Sequence, residues 1–100
     1  MERINMCYQS ENLKWIIDDG HGWLRINKYD YIRSNFKASR YSYFDDLYVY
    51  LEEDCDAPGY INEHNVSNDI PEQYHHGYCF VRDLDSFETP YLLFISKVKI

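Results

Sequence analysis

The sequence predicts an α+β fold, with an antiparallel sheet built from two β-hairpins plus C-terminal strands and two short helices packed on one face. Three observations lead to this prediction. Segments rich in β-branched and aromatic residues alternate with turn-forming residues. Two further stretches place their apolar residues at helical spacing. The chain has 100 residues, of which 45% are hydrophobic, so a single domain over residues 1–100 with one core is expected.

The first predicted hairpin leads into the first helix. Residues 14–18 (KWIID) form a strand, residues 19–22 (DGHG) a turn, and residues 23–26 (WLRI) the return strand. The side chain of Asn27 is expected to cap a helix over residues 28–36, whose apolar side chains recur with the helical period.

The second predicted hairpin follows the same plan. Residues 40–44 form a strand, residues 45–46 (DD) the turn, and residues 47–53 the return strand. In this return strand Leu47, Val49 and Leu51 are expected on one face, with Tyr48, Tyr50 and Glu52 on the other. Asp54 or Asp56 is then expected to cap the second short helix.

The last third of the chain is less regular. Residues 65–76 are polar and typical of a surface loop, and residues 77–82 predict a strand. Residues 83–90 are a connection, and residues 91–100 predict a final strand. As an edge, this strand could pair across a two-fold axis, so a homodimer is one open possibility.

Several classes of protein are excluded by composition. No apolar run approaches the roughly 18 residues that a membrane span needs, and the N-terminus lacks the apolar core of a secretory signal. The three cysteines, Cys7, Cys55 and Cys79, are an odd number and fit free thiols in a reducing compartment. A cytoplasmic location and no membrane contact are therefore expected.

The net charge of −7 is unevenly distributed along the chain. Residues 41–81 contain no Lys or Arg but nine acidic residues: Asp45, Asp46, Glu52, Glu53, Asp54, Asp56, Glu63, Asp69 and Glu72. The segment just before them carries the cations Arg25, Lys28, Arg33, Lys37 and Arg40. Either the two segments neutralise each other in the fold, or the acidic one faces solvent and attracts a basic partner.

Three strings together resemble a small domain of unknown function found on bacteriophage and mobile-element proteins. They are DGHGWLRI (19–26), SRYSYF (39–44) and YLEEDCDAP (50–58). The resemblance covers residues 14–64 and implies a small phage-type accessory protein that works in the host cytoplasm. It supplies no catalytic residues.

The sharpest local feature is the acidic run that follows the second hairpin. Carboxylates along a surface can imitate phosphates, and Tyr side chains add contact area at low entropic cost. The predicted partner-binding residues are Tyr48, Tyr50, Glu52, Glu53, Asp54 and Asp56. The competing interpretation is helix capping by an Asp, with the Glu side chains merely solvated. Ion pairs from Arg33, Lys37 or Arg40 would remove the attraction to a foreign cationic groove.

Other chemistry has weaker support. Cys55, His64, His75, His76 and Cys79 could supply zinc ligands, but only His76 and Cys79 form a tight pair. Abutting acids without a calcium-type loop do not favour a hard-cation site either. A nuclease would need carboxylates and a Lys or His converging on a phosphate, and Asp18, Asp19 and His21 are better explained as turn residues.

A thiol nucleophile is equally disfavoured. Cys55 stands among four carboxylates, which raise the pKa of a thiol, and Cys79 lies in a pattern typical of packing.

The sequence thus favours a non-catalytic accessory protein, without cofactor or metal, that binds a host or phage protein with a basic surface. An anti-defence inhibitor that blocks a nucleic-acid-binding groove is one concrete version. The alternatives are a nucleic-acid-binding module that uses the basic residues of segment 25–43, or a small metal-binding protein.

Overall fold

A computed structural model describes residues 13–66 and 69–87, which form a six-stranded sheet with two α-helices. In chain order the elements are β1 (Lys14–Ile17), β2 (Gly22–Asn27), α1 (Lys28–Ser34), β3 (Tyr43–Phe44), β4 (Tyr48–Glu52), α2 (Ala57–Glu63), β5 (Glu72–Tyr74), a 3₁₀ helix (Phe80–Asp83) and β6 (Asp85–Ser86). The strand order is β5-β1-β2-β4-β3-β6. The α+β class is confirmed, but the sheet is mixed, because β5 runs parallel to β1 while the other neighbours are antiparallel.

The first hairpin and helix α1 follow the local signals in the sequence. The register pairs Ile16 with Trp23 and Ile17 with Gly22. The Asn27 side chain accepts a hydrogen bond from the Tyr29 amide at 2.8 Å, which satisfies one of the donors at the start of α1. The helix ends earlier than predicted, at Ser34, because Asn35 adopts the left-handed conformation with φ 62°.

The second hairpin is shorter than predicted. Only Tyr43 and Phe44 form the first strand. The segment before them does not pair as a strand, because Ser39 and Ser42 donate hydrogen bonds to the carboxylate of Asp56. Leu47 is expected on one face of the return strand with Val49 and Leu51, but it lies in the turn before β4 and is 67% exposed.

Three predictions for the last third of the chain are wrong in detail. The polar segment 65–76 contains β5, which lies beside β1 with Ile16 opposite Gln73. The predicted strand 77–82 contains the 3₁₀ helix instead, with Cys79 and Val81 buried against the sheet. The predicted connection 83–90 includes β6, which pairs with β3.

The sheet is covered on both faces. On the helix-covered face, side chains of β2 and β4 pack under α1 and α2 in a core of Leu13, Leu24, Ile26, Tyr31, Phe44, Val49, Leu51, Ala57, Tyr60, Val66 and Phe87. The opposite face, here called the polar face, is covered by the segment around the 3₁₀ helix and has a smaller core of Ile16, Trp23, Tyr50, Cys79 and Val81. The residues that carry charge and hydrogen-bonding chemistry lie mainly on this second face and at its rim.

One sequence prediction lies outside the described residues: the final strand at residues 91–100, with the homodimer that was linked to it. Among the described helices, none has the length and apolar character needed to cross a bilayer.

Candidate partner-binding surface

The β1–β2 turn is fixed by a buried carboxylate, Asp18. Its side chain accepts hydrogen bonds from the amides of Gly20 and His21 at 2.9 and 2.8 Å, and from the Arg82 guanidinium at 3.0 and 3.2 Å. Burial alone would raise the pKa of Asp18, but these amides and the guanidinium outweigh it and lower the pKa below its ordinary value. Arg82, on the 3₁₀ helix, therefore ties the cover of the polar face to the turn.

Two glutamates converge on this turn from the end of β4. Glu52 Oε1 accepts hydrogen bonds from the amides of Asp54 and Cys55, both at 2.8 Å, while Glu52 Oε2 lies 3.8 Å from His21 Nδ1. Glu53 approaches Gly22 so closely that a Cβ at that position would lie 2.9 Å from Glu53 Oε1. A side chain at position 22 would therefore displace the Glu53 carboxylate, which is the end of a flexible side chain.

Asp19, at the tip of the same turn, holds the segment that follows β5. The Tyr74 hydroxyl and the Gly77 amide both donate hydrogen bonds to its carboxylate, and His76 Nδ1 lies 3.9 Å away. The result is one continuous surface at this end of the sheet, here called the acidic end, made of Asp19, His21, Glu52, Glu53, Asp54, Tyr74 and His76.

Two of the predicted partner-binding residues are buried and occupied within the fold. Tyr50 is 2% exposed, and its hydroxyl donates to Asp45 at 2.9 Å; burial and this hydrogen bond both raise the pKa of Tyr50. Asp56 is 6% exposed and accepts hydrogen bonds from the Ser39 amide and the Ser39 and Ser42 hydroxyls. The prediction that these two face a partner is therefore corrected.

The prediction that Asp56 caps α2 is right in position only. Asp56 is the N-cap residue, but its side chain makes no capping hydrogen bond, because it binds the segment before β3. Asp54, the other candidate for the cap, is exposed beyond the end of β4.

Tyr48 is separated from the predicted acidic partners. It lies at the start of β4, whereas Glu52 lies at the end, so about 13 Å of strand separates them. The ring of Tyr48 is half-buried beneath the Arg25 guanidinium, whose carbon is 4.1 Å from the ring centroid. Of the six predicted residues, the structure brings together Glu52, Glu53 and Asp54.

The cations of the basic segment do not neutralise this surface. Arg33 pairs with Asp30 within α1 at 2.7 Å, and Lys28 is buried over the Phe44 ring. Within residues 13–66 and 69–87, no Lys or Arg forms an ion pair with Glu52, Glu53 or Asp54.

One group of possible metal ligands converges in the described residues, and it is not the set considered for zinc. In the described part of the chain, Cys55, His64, His75, His76 and Cys79, which the sequence offered as a weakly supported zinc set, are not gathered into a group that could hold an ion. The group that does converge is His21, Glu52 and Glu53, whose ligand atoms lie within 4.8 Å of one another.

The thiol of Cys55 is exposed, and its pKa is raised by desolvation and by the carboxylates of Glu52, Asp56 and Asp54. This environment opposes formation of the thiolate that a nucleophile needs.

Sequence reasoning missed that His21 lies beside Glu52, that Tyr74 binds Asp19 and that Arg82 binds Asp18 at the same turn. The DGHG turn was recognised only as a turn, and the β5 pairing that brings Tyr74 to it spans more than fifty residues. No local signal marks such a pairing.

No protein-family model matches the chain, and neither a curated protein nor a solved structure is significantly similar to it. The residues themselves are therefore the basis for an assignment of function.

Proposed function

We propose that the chain is a non-catalytic binding protein whose acidic end contacts a protein with a basic surface. The observation that carries the proposal is the group formed by Glu52, Glu53 and Asp54, whose carboxylates meet no Lys or Arg in the described residues. Charge of one sign concentrated on one surface steers a partner of opposite charge and sets the orientation of docking.

The acidic end is also held rigidly before any partner arrives. Asp18 fixes the β1–β2 turn through two amides and Arg82, and Glu52 fixes the chain after β4 through the amides of Asp54 and Cys55. A surface that is ordered in advance loses less conformational entropy on binding, which strengthens the association. Tyr74 is 58% exposed and donates a hydrogen bond to Asp19, so it supplies aromatic contact area at the acidic end.

The phage-type resemblance of residues 14–64 suggests the nature of the partner. A row of carboxylates presents negative charge as a nucleic-acid backbone does, so a cationic groove that binds nucleic acid would accept it. In this version the protein is an accessory factor that occludes such a groove, as an anti-defence inhibitor does.

The alternative of a nucleic-acid-binding module receives less support from the geometry. Arg25 lies on the polar face, Lys28 is buried, and Arg33 is paired on α1. These cations do not line one surface, and phosphate binding by an acidic protein needs a concentrated basic patch.

The test compares two variants with the same change of charge. Glu52→Gln/Glu53→Gln/Asp54→Asn removes three charges from the acidic end, and Asp46→Asn/Glu63→Gln/Glu72→Gln removes three exposed charges elsewhere. Gln at position 52 keeps an oxygen for the two amides. Each purified protein is used to retain partners from host lysate, and the retained protein is then titrated in purified form at rising salt.

The wild type and the second variant are expected to bind the same partner, with affinity that falls as salt rises, while the first variant loses it. Equal binding by both variants, or binding by none of the three proteins, contradicts the proposal.

A further inference from the structure

Three side chains at the acidic end meet with the mixed donor atoms of a metal site. They are His21, in the β1–β2 turn, Glu52, the last residue of β4, and Glu53, which follows it. One imidazole nitrogen and one oxygen from each carboxylate all lie within 4.8 Å of one another. The closest approach that involves the histidine is between His21 Nδ1 and Glu52 Oε2, which are 3.8 Å apart.

These separations are close to those that a bound ion imposes. Zinc bonds to imidazole nitrogen and carboxylate oxygen are roughly 2.0–2.2 Å long, so two donor atoms on a tetrahedral ion are about 3.4 Å apart. The distance between His21 Nδ1 and Glu52 Oε2 exceeds this by only a few tenths of an ångström. The side chain of His21 is 49% exposed, and the Glu53 carboxylate is the end of a flexible side chain. Both therefore have room to close on an ion.

The end of β4 explains why two adjacent glutamates converge. Neighbouring residues of a continuous strand point to opposite faces of the sheet. β4 ends at Glu52, however, and the chain turns after it, with the Glu53 amide donating to the Gly22 carbonyl at 3.0 Å. The turn brings both carboxylates beside His21 instead.

Two of the three donor groups are oriented by other hydrogen bonds. Glu52 Oε1 accepts from the amides of Asp54 and Cys55, both at 2.8 Å, and Oε2 is the oxygen near His21. The His21 amide donates to Asp18 at 2.8 Å, which fixes the backbone that carries the imidazole. Carboxylates that ligate metals are typically held by hydrogen bonds of this kind. Much of the ordering that a site requires is thus present in the fold.

The charge and the donor types favour a transition ion. In the described residues neither Glu52 nor Glu53 forms an ion pair with Lys or Arg, so two negative charges face the same point. Ca²⁺ takes six or more oxygen ligands, whereas imidazole is typical of first-row transition ions. Zn²⁺ is commonly bound by three side chains, with water in the fourth position.

We propose that His21, Glu52 and Glu53 bind a divalent first-row transition ion, for which Zn²⁺ is the best fit, with water as the fourth ligand. A bound cation is the largest charge in its surroundings. Since Glu52 and Glu53 also belong to the acidic end, the ion would reduce the negative charge offered to a basic partner. The site itself does not depend on that partner, so it is tested on the protein alone.

The test is titration calorimetry of the whole chain with Zn²⁺, after treatment with a chelator and its removal. The wild type is expected to bind Zn²⁺ at submillimolar concentration, and equal concentrations of Mg²⁺ or Ca²⁺ should not displace it. His21→Gln and Glu53→Gln are each expected to weaken binding at least about tenfold, because loss of a group that merely supports a ligand already costs this much.

Two further variants separate coordination from other causes of binding. Asp54→Asn makes the same change of charge as Glu53→Gln at the same surface, but Asp54 is outside the convergent group, so it should weaken binding less. Cys55→Ser removes the exposed thiol nearby and should bind like the wild type. Circular dichroism establishes that each variant is folded; should His21→Gln or Glu53→Gln unfold, the other decides.

Several results would overturn the metal site. They are no binding of Zn²⁺ by the wild type at submillimolar concentration, wild-type binding by folded His21→Gln or Glu53→Gln, and displacement by Mg²⁺ or Ca²⁺. A loss in Asp54→Asn as large as that in Glu53→Gln would reduce the effect to general attraction, and a loss in Cys55→Ser would assign the ion to the thiol. Because no partner is present, none of these results decides whether the acidic end binds a basic protein.

Discussion

The two faces of the sheet share the same strands but are built with different chemistry. The helix-covered face is closed by aromatic and aliphatic side chains, with Phe44, Tyr31 and Phe87 in ring-to-ring contact. The polar face buries Trp23 and Tyr50 beside Arg82 and Asp45, and two of its buried nitrogens, Trp23 Nε1 and Arg25 Nε, have no hydrogen-bond partner. The first face holds the fold together, and the second keeps polar groups in positions that cost stability. We therefore expect function to reside at the second face and its rim.

The largest expected effect is on the helix-covered face. Leu24→Ala should lower the free energy of unfolding by about 3 kcal/mol, because the side chain is fully buried and its removal leaves a cavity under the helices. Urea denaturation measures the loss. Lys14→Ala, at the rim of the polar face, serves as the comparison and should cost less than about 0.5 kcal/mol. Equal losses in the two variants would contradict the division between the faces.

The next effect tests the carboxylate that joins α2 to the segment before β3. Asp56→Ala should cost about 2–3 kcal/mol, because three donors of Ser39 and Ser42 lose their acceptor. Asp56→Asn keeps one acceptor oxygen and should lose less. Thermal unfolding of the wild type and both variants measures these losses of stability. If Asp56→Ala is as stable as the wild type, this carboxylate does not hold the two segments together.

A smaller effect with a distinct pH dependence is expected at Asp18. Since the pKa of Asp18 is lowered in the folded state, its contribution is present above its ordinary pKa of 3.8 and is lost as the pH falls through the lower folded pKa. Asp18→Asn should therefore cost about 1–2 kcal/mol at pH 7, and the difference from the wild type should shrink below about pH 4. Urea denaturation at several pH values tests this, and a constant difference would argue against the ionised carboxylate.

Asp30 provides an internal contrast for that measurement. It also pairs with an arginine, Arg33, yet burial raises its pKa, and the charge and hydrogen bond of Arg33 do not compensate. The difference is that Asp18 also accepts two backbone amides. As the pH falls toward the raised pKa, the folded wild type takes up a proton before the unfolded chain does, so its free energy of unfolding increases. The free energy of unfolding of Asp30→Asn should therefore decrease relative to that of the wild type as the pH falls.

The smallest effect is expected for Tyr50→Phe on the polar face. The change removes the hydroxyl that donates to Asp45 but keeps the ring that packs on Phe80, so a cost of about 0.5–1 kcal/mol is expected. Differential scanning calorimetry resolves such a change. A loss as large as that of Leu24→Ala would show that the polar face contributes to stability as much as the other.

Local signals explain which parts of the fold were predictable from sequence. The DGHG turn and the Asn27 cap are both read within a few residues. The cap is found as predicted, and the turn lies one residue earlier than predicted, because β1 ends at Ile17 and Gly22 already begins β2.

β5 was predicted as loop because residues 65–76 are polar and typical of a surface loop. The strand conformation of Glu72–Tyr74 comes instead from pairing with β1. In segment 77–82, the alternation of Cys79 with Tyr78 and Phe80 suggested a strand, whereas a 3₁₀ helix begins at Phe80 and both Cys79 and Val81 are buried against the sheet.

The candidate site was predictable to a similar extent. The acidic run identified Glu52, Glu53 and Asp54, which the structure leaves together beside the turn. Charge alone did not distinguish these residues from Asp56, whose carboxylate accepts hydrogen bonds from Ser39 and Ser42, more than ten residues earlier in the chain.

The sheet order has a consequence for synthesis on the ribosome. Both outer strands, β5 and β6, come from residues 72–86, whereas the four inner strands are complete by residue 52. Among the described strands, a nascent chain that has emerged only as far as α2 has β1 without its β5 neighbour and β3 without its β6 neighbour. Such unpaired edges invite pairing between neighbouring chains on a polysome. Within the described sheet, β5 and β6 thus cover these edges last, and slowed translation ahead of residue 72 would lengthen the time for which the edges stay unpaired.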